Sequence, residues 1–213
     1  MGLFNVNERP VGLYSVDVAG HGVASALMTA RIAGLLNQAA PDRNIALTID
    51  EAGNRSMLPP HEVCGQLNDL LMTEIDTDRY LTMVLADIDL ETGHIVMCQC
   101  GHPSPAIQRK DGQIEFVSSF GLPIGLIPNA TYTSFEAVVE HGERLLLYSD
   151  GLTECPLEEE DDLLDEEGLA KILYNIRGVS GPEAIDAITL SLTEISGLQE
   201  FPDDLSAILF QRY

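Results

Sequence analysis

Three aspartates stand at the ends of apolar runs: Asp17 in VDVAGHG, Asp150 in LLLYSDGLTE and Asp203 in FPDDLSAILF. Each run has the composition of a strand, and small or polar residues follow where an aspartate can turn toward a common cleft. Carboxylates, carbonyls and water match hard cations, whereas soft metals favour thiolate and imidazole, so the chemistry this trio suits is binding of Mg²⁺ or Mn²⁺. An aspartate before glycine is also an ordinary turn residue that bonds nearby backbone; the three aspartates in this order and setting are far more specific than any one. Gly20 and Gly22 let the backbone after Asp17 approach a ligand closely, and the helical pattern that follows presents free N–H groups at that corner. Such a corner can hold a metal, a phosphate or both, and a phosphate-processing metal site is the leading reading.

The elements that must carry these carboxylates are visible as patterns. VGLYSVDV and YLTMVLADIDL have the β-branched and aromatic content of buried strands, and LETG supplies a turn before HIVMCQC, which predicts a hairpin. PAIQR and QIEFVS flank Lys110, Asp111 and Gly112, and an Asp-Gly pair between two such runs signals a second hairpin. TSFEAVV and RLLLYSD predict another strand pair joined through His141, Gly142 and Glu143, and LSAILFQR is the last strand. Residues 23–36 are apolar on nearly every side, which predicts a helix buried between other elements. Pro59 and Pro60 precede Val63, Leu67, Leu70, Leu71 and Ile75, spaced for one helical face. A third helix is expected over 169–176. Ser180, Gly181 and Pro182 open a fourth, with Ile185, Ile188, Leu192 and Ile195 at helical spacing. Hairpins in place of regular βαβ alternation favour an α+β domain in layers.

These runs, in this order, resemble the SpoIIE-like branch of the type 2C metal-dependent serine/threonine protein phosphatases. The resemblance is carried by DVAGHGVASALM, YLTMVLADIDLETGHI, CGHPSPAI, GLPIGL, GERLLLYSDGLTE and DDLSAILF, and covers almost the whole chain. It implies a layered α-β-β-α sandwich with two antiparallel sheets flanked by helices. It also implies a pair of Mg²⁺ or Mn²⁺ ions, with Asp17 bridging them, the Val18 carbonyl helping one, and Asp150 and Asp203 completing the shell of the other. In the family pattern Asp203, not Asp204, carries the ligand role. Two such ions lower the pKa of a bridging water, orient it and neutralise phosphate charge, so water attacks phosphorus directly. No covalent intermediate is required, and Cys155, which follows Glu154, has no basic neighbour in sequence to stabilise a thiolate.

The resemblance departs at the start. Related domains carry an earlier strand ending in a Gly-Gly-Asp-like motif before the segment matching GLFNVNERPVGLY, whereas here that segment opens at Met1, Gly2 and Leu3. The expectation is a single SpoIIE-like phosphatase domain over 1–213, lacking its first strand and excised from a longer regulatory protein with an upstream sensor or receiver domain. By resemblance the substrate is a phosphorylated regulatory protein such as an anti-sigma factor antagonist. Family members also use the helix after DVAGHG in dimerisation or switching, which leaves a homodimer open beside burial of that helix within its own domain.

Composition bounds the alternatives. A chain of 213 residues with 45% hydrophobic content can bury a large core as one domain. Its 34 acidic against 11 basic residues, a formal net charge of −23, argue against nucleic acid and anionic membrane as partners. Eight of the ten residues in 158–167 are acidic, which reads as a solvated loop leading into a helix, with attraction of metal or of a basic partner as the alternative. There is no secretory signal and no apolar run near the ~20 residues of a spanning helix, so a cytoplasmic protein is expected. Cys64, Cys98, Cys100 and Cys155 form no dense disulfide framework; the CQC pair points to one side of a strand, and all four read as reduced core residues. A zinc site would need more soft ligands than His102 adds.

His21 and His102 titrate near neutrality and are tempting general acids, although a histidine in a glycine or proline turn often serves by local hydrogen bonding, which is the reading favoured. His61, His94 and His141 read as surface or turn residues. Arg31 and Arg144 are candidates for phosphate, or for surface ion pairs. The leading hypothesis is a metal-dependent phosphatase acting on phosphoserine or phosphothreonine. The alternatives are a catalytically weak or inactive binding module of the same fold, and a phosphoesterase for small molecules.

Overall fold

The computed structural model describes residues 1–74, 79–158, 162–198 and 200–213. They fall into two compact units, Met1–His102 with Ser118–Val138, and Pro103–Val117 with Val139–Tyr213. Among the described residues no helix is long and apolar enough to cross a membrane.

In the first unit the chain forms β1 (Gly2–Asn5), β2 (Pro10–Val18), α1 (Val23–Leu35), a short hairpin of β3 (Leu47–Ile49) and β4 (Arg55–Met57), and α2 (Pro60–Glu74). β5 (Leu81–Asp89) and β6 (His94–Cys100) follow as the expected hairpin. The sheet is antiparallel throughout, and its fifth strand comes from later in the chain, Ser134–Val138. β2 and β5 pair along their whole length, from Pro10 opposite Asp89 to Val18 opposite Leu81. Phe4 of β1 lies opposite Gly12, whose missing side chain leaves room for the ring. Phe4, Ile32, Leu36, Leu67, Met83 and Leu85 are fully buried in one core that joins this sheet to α1 and α2, each contributing roughly 1.5–3 kcal/mol of transfer free energy.

α2 buries Val63, Leu67 and Leu71 as its spacing predicts, with Pro60 in its first turn; Ile75 lies outside the described residues. α1 departs from expectation. It buries Ser25, Met28 and Ile32, while Val23 and Leu27 are 77% and 67% exposed. Apolar residues on every side carry no directional stripe, so the sequence signals burial all round where the fold covers one face.

The second unit contains β7 (Ala106–Gln108) and β8 (Ile114–Phe116), the hairpin predicted from the Asp-Gly turn, with Gly112 at φ 90°. The strand of the first unit just described, Ser134–Val138, is β9 in chain order. After it come β10 (Arg144–Tyr148), α3 (Asp165–Asn175), α4 (Pro182–Ser196) and β11 (Ala207–Gln211), and the sheet runs β11-β10-β7-β8. Leu146 and Tyr148 of β10 pack with Leu169, Ile172, Leu173, Ile188 and Leu192 of the two helices. α4 opens at Pro182 and stops at Gly197, which takes the left-handed conformation at φ 65°.

The strand pair expected between TSFEAVV and RLLLYSD is absent. β9 pairs with β6, and β10 lies between β11 and β7 in the other sheet. A turn signal between two strands specifies a reversal only locally; burial decides the partner, and all five residues of β10 are buried while β9 is a partly exposed edge. The acidic run also does more than fill a loop. Asp165, Glu166 and Glu167 form the first turn of α3, where the helix dipole favours negative charge; residues 159–161 lie outside the described residues.

Arg144 is neither a phosphate binder nor a surface ion pair. It is 6% exposed, and its guanidinium donates to the carbonyls of Ile176, Arg177 and Val179 in the segment just past α3. Arg144→Met should therefore lower the unfolding free energy by about 3 kcal/mol in a denaturant titration, because buried carbonyls lose charge-assisted donors.

Asp87 of β5 is partly buried, and one of its oxygens has no hydrogen-bond partner among the described residues. Burial first, and repulsion from Asp89 second, raise its carboxyl above the usual range, with His94 opposing. The folded state thus holds this proton to higher pH than the unfolded chain. The stability linked to it is present below the unfolded pKa and is lost as pH rises through the folded one. Asp87→Asn should be more stable than the parent at pH 7, with the difference closing below a pH of about 4.

Candidate metal centre and its supporting network

In β2, Ser15 and Asp17 share one face of the strand, opposite Val84 and Thr82 of β5. Ser15 is buried and Asp17 is exposed at the strand end. His102, 4% exposed, bridges the two strands, with Nε2 2.6 Å from Ser15 Oγ and Nδ1 2.9 Å from Thr82 Oγ1. Gly101, at φ 69°, turns the chain so that the ring can reach back. Gln99 holds the turn, donating to the His102 carbonyl and accepting the Ser119 N–H. The structural role favoured for His102 is thus the one its geometry supports, a brace beside Asp17. His21 is exposed in the glycine turn.

Val18 pairs with Leu81, but the Leu81 N–H and carbonyl are both bonded to Ile124 on the far side. Antiparallel pairs alternate between hydrogen-bonded and non-bonded types, so Val18 is of the second type and its carbonyl points away from β5. On that side β1 reaches only as far as Tyr14. The Val18 carbonyl lies outside both ladders, as an oxygen donor next to Asp17 requires.

The corner that follows is held by Arg79. Its Nη1 donates to the Ala19 carbonyl at 3.1 Å and to Ser25 Oγ at 2.6 Å, and a Cβ on Gly20, which sits at φ 87°, would meet that nitrogen at 2.8 Å. α1 then begins at Gly22 with no side-chain cap. Sequence patterning did not single out Arg79; its only signal is a place just before the strand that pairs with β2. Arg31 is exposed on α1.

Asp150 belongs to the second unit. It follows β10 through Ser149 and opens a single 3-10 turn, Asp150–Leu152, in which its own Oδ1 accepts the Gly151 N–H at 3.0 Å. Ser149 ties this turn to the segment before β11. Its N–H donates to the Ser206 carbonyl, its hydroxyl donates to the Asp204 carbonyl at 2.9 Å, and that hydroxyl accepts the Ser206 N–H at 3.0 Å. A Cβ on Gly151 would stand 2.8 Å from the Asp204 carbonyl oxygen, so only glycine permits this approach. Asp203 and Asp204 are exposed, and Asp203 Oδ1 accepts the Asp204 N–H. The fold thereby sets Asp150 and Asp203 on stitched neighbouring segments at one end of a sheet, while Asp17 is presented by the first unit.

The donors in these segments, three carboxylates and one carbonyl, are hard oxygens suited to Mg²⁺ or Mn²⁺. Cys155 is buried in the apolar cluster of the second unit, and burial pushes its thiol up, with Ser196 opposing; nothing there activates it as a nucleophile.

A family model described as Stage II sporulation protein E (SpoIIE) matches residues 7–213. Phosphoserine phosphatase RsbU of Bacillus subtilis is 24% identical over 210 residues, covering 98% of this chain and 58% of RsbU. The chain thus spans little more than half of that relative. Among solved structures, the SiaA-PP2C domain of Pseudomonas aeruginosa superposes with a TM-score of 0.78 at 19% identity, covering 99% of this chain and 78% of that one. RsbX in complex with magnesium gives a TM-score of 0.63 at 17% identity, covering 98% of this chain and 84% of that one. These likenesses establish a PP2C fold, in agreement with the α+β class and the antiparallel sheets expected from the sequence.

Gly151→Ala is expected to cost about 1–3 kcal/mol by forcing the Asp150 and Asp203 segments apart, measured as a shift of the denaturation midpoint at unchanged slope.

Proposed function

This chain belongs to the SpoIIE family, and on that basis we propose that it is a metal-dependent phosphatase that hydrolyses phosphoserine or phosphothreonine on a regulatory protein. The observation that carries the reading is the Ser149 stitch, which joins the Asp150 turn to the segment that carries Asp203 and Asp204. Asp17 with the Val18 carbonyl, and Asp150 with Asp203, are the residues assigned to hold Mg²⁺ or Mn²⁺, as two ions in the family pattern. Bound ions of this class lower the pKa of a coordinated water and neutralise phosphate charge.

The chain's own residues supply position. His102 joins Ser15 of β2 to Thr82 of β5, the residue paired with Asp17, and so braces the strand end that carries it. Arg79 holds the Ala19–Ser25 corner, from which the uncapped first turn of α1 presents N–H groups suited to a phosphate oxygen. The name of RsbU supports phosphoserine as the substrate group. An anti-sigma factor antagonist is the proposed kind of substrate protein, with a sensor or receiver domain upstream and the cytoplasm as the compartment. The exposed Val23 and Leu27 of α1 favour contact with such a domain or with a second copy in a homodimer. The net charge of −23 disfavours nucleic acid and anionic membrane.

Phosphate release from a phosphoserine peptide should require Mn²⁺ or Mg²⁺. It should fall by on the order of 100-fold or more in Asp17→Ala and Asp150→Ala, the loss expected when several kcal/mol of charge stabilisation is removed. Turnover that persists in chelator would overturn the metal assignment. Faster hydrolysis of a nucleotide than of the peptide would favour a small-molecule phosphoesterase. No turnover by this chain or by one extended at its N-terminus would favour a docking module.

A further inference from the structure

Away from the carboxylates, α2 and β6 bring three thiols together. Cys64 faces the sheet from α2, and Cys98 and Cys100, two residues apart on β6, point to the same side. All three are fully buried, and their sulfurs lie within 4.8 Å of one another, with Cys98 and Cys100 3.8 Å apart. In a tetrahedral zinc–thiolate site with bonds of about 2.3 Å, neighbouring sulfurs are about 3.8 Å apart. The Cys98–Cys100 pair therefore already has the spacing of two ligands on one ion. The sequence read the cysteines as core residues with too few soft partners nearby; the partner missing from that reading was Cys64, 34 positions upstream of Cys98.

His61, one helical turn before Cys64, is held by Ser134, the residue paired with Cys98 across β6 and β9.

We propose that Cys64, Cys98 and Cys100 form a structural site for one thiophilic d¹⁰ cation, Zn²⁺ or Cu⁺, that ties α2 to β6. Each thiol that binds gives its proton to solvent, and no electron is transferred; three thiolates leave a net charge of −1 with Zn²⁺ and −2 with Cu⁺. Soft sulfur ligands select these ions over Mg²⁺ and Mn²⁺, so this site and the carboxylates draw on different metals. Because the cluster is buried, the ion enters as the unit folds, and its binding free energy adds to folding.

The test uses the full chain, expressed in zinc-supplemented medium and purified without chelator. Elemental analysis should find about one zinc or copper per chain, and X-ray absorption at that metal's edge should show sulfur neighbours at about 2.3 Å. Asp150→Ala and Cys155→Ser should keep this metal and its sulfur shell, whereas Cys64→Ala and Cys98→Val should lose it. If those two variants fail to fold, the spectrum of the parent chain decides. A parent chain with no thiophilic metal after zinc or copper reconstitution would overturn the proposal. So would a metal shell of oxygen and nitrogen alone, or a disulfide among the three cysteines.

Discussion

An unpaired carboxylate is costly in an apolar interior, and with the exception of the partly buried Asp87 of β5 that cost shapes both units of this protein. β2 is buried from Val11 to Ser15 and delivers Asp17 only where it emerges. β10 is buried at every position and delivers Asp150 in the turn immediately after it. β11 is preceded, not interrupted, by Asp203 and Asp204. The hydrophobic sheet interiors and the polar strand ends are two consequences of one cost, and the strand ends are where ligand chemistry becomes available.

Buried hydrogen bonds from partners distant in sequence lie close to these strand ends. His102 crosses from β6 to Ser15 and Thr82; Ser149 crosses from β10 to the backbone before β11; Arg79 gathers Ala19 and Ser25. Each is a polar group satisfied by a partner distant in sequence, as burial demands. Glycine does complementary work at two points: Gly20 leaves room for the Arg79 guanidinium, and Gly151 lets its turn approach the Asp204 carbonyl.

Where the sequence was misleading, the reason is that its signals are local. The glycine-containing segment between β9 and β10 reads as a hairpin, yet the two strands belong to different sheets, because side-chain burial and not the turn chose their partners. α1 reads as buried all round because its apolar residues show no periodic face, and it exposes Val23 and Leu27. Arg144 opens a strand and so resembles a surface cation; only the placement of the end of α3 over it turns it into a buried cap. Leu67 and Ile188, at strict helical spacing, were placed correctly because spacing is a property the chain carries within a single turn.

The sequence by itself determined the α+β class and most strands and helices, since alternation, helical spacing and turn residues act over a few positions. Only the tertiary structure decided what surrounds them. It joined Ser15 to His102, Ser149 to Ser206 and Cys64 to Cys98 and Cys100, pairs from 34 to 87 residues apart. No local pattern records such pairings. They arise when burial of the sheets and helices brings the segments together, and the polar and thiol groups left between them must then find one another.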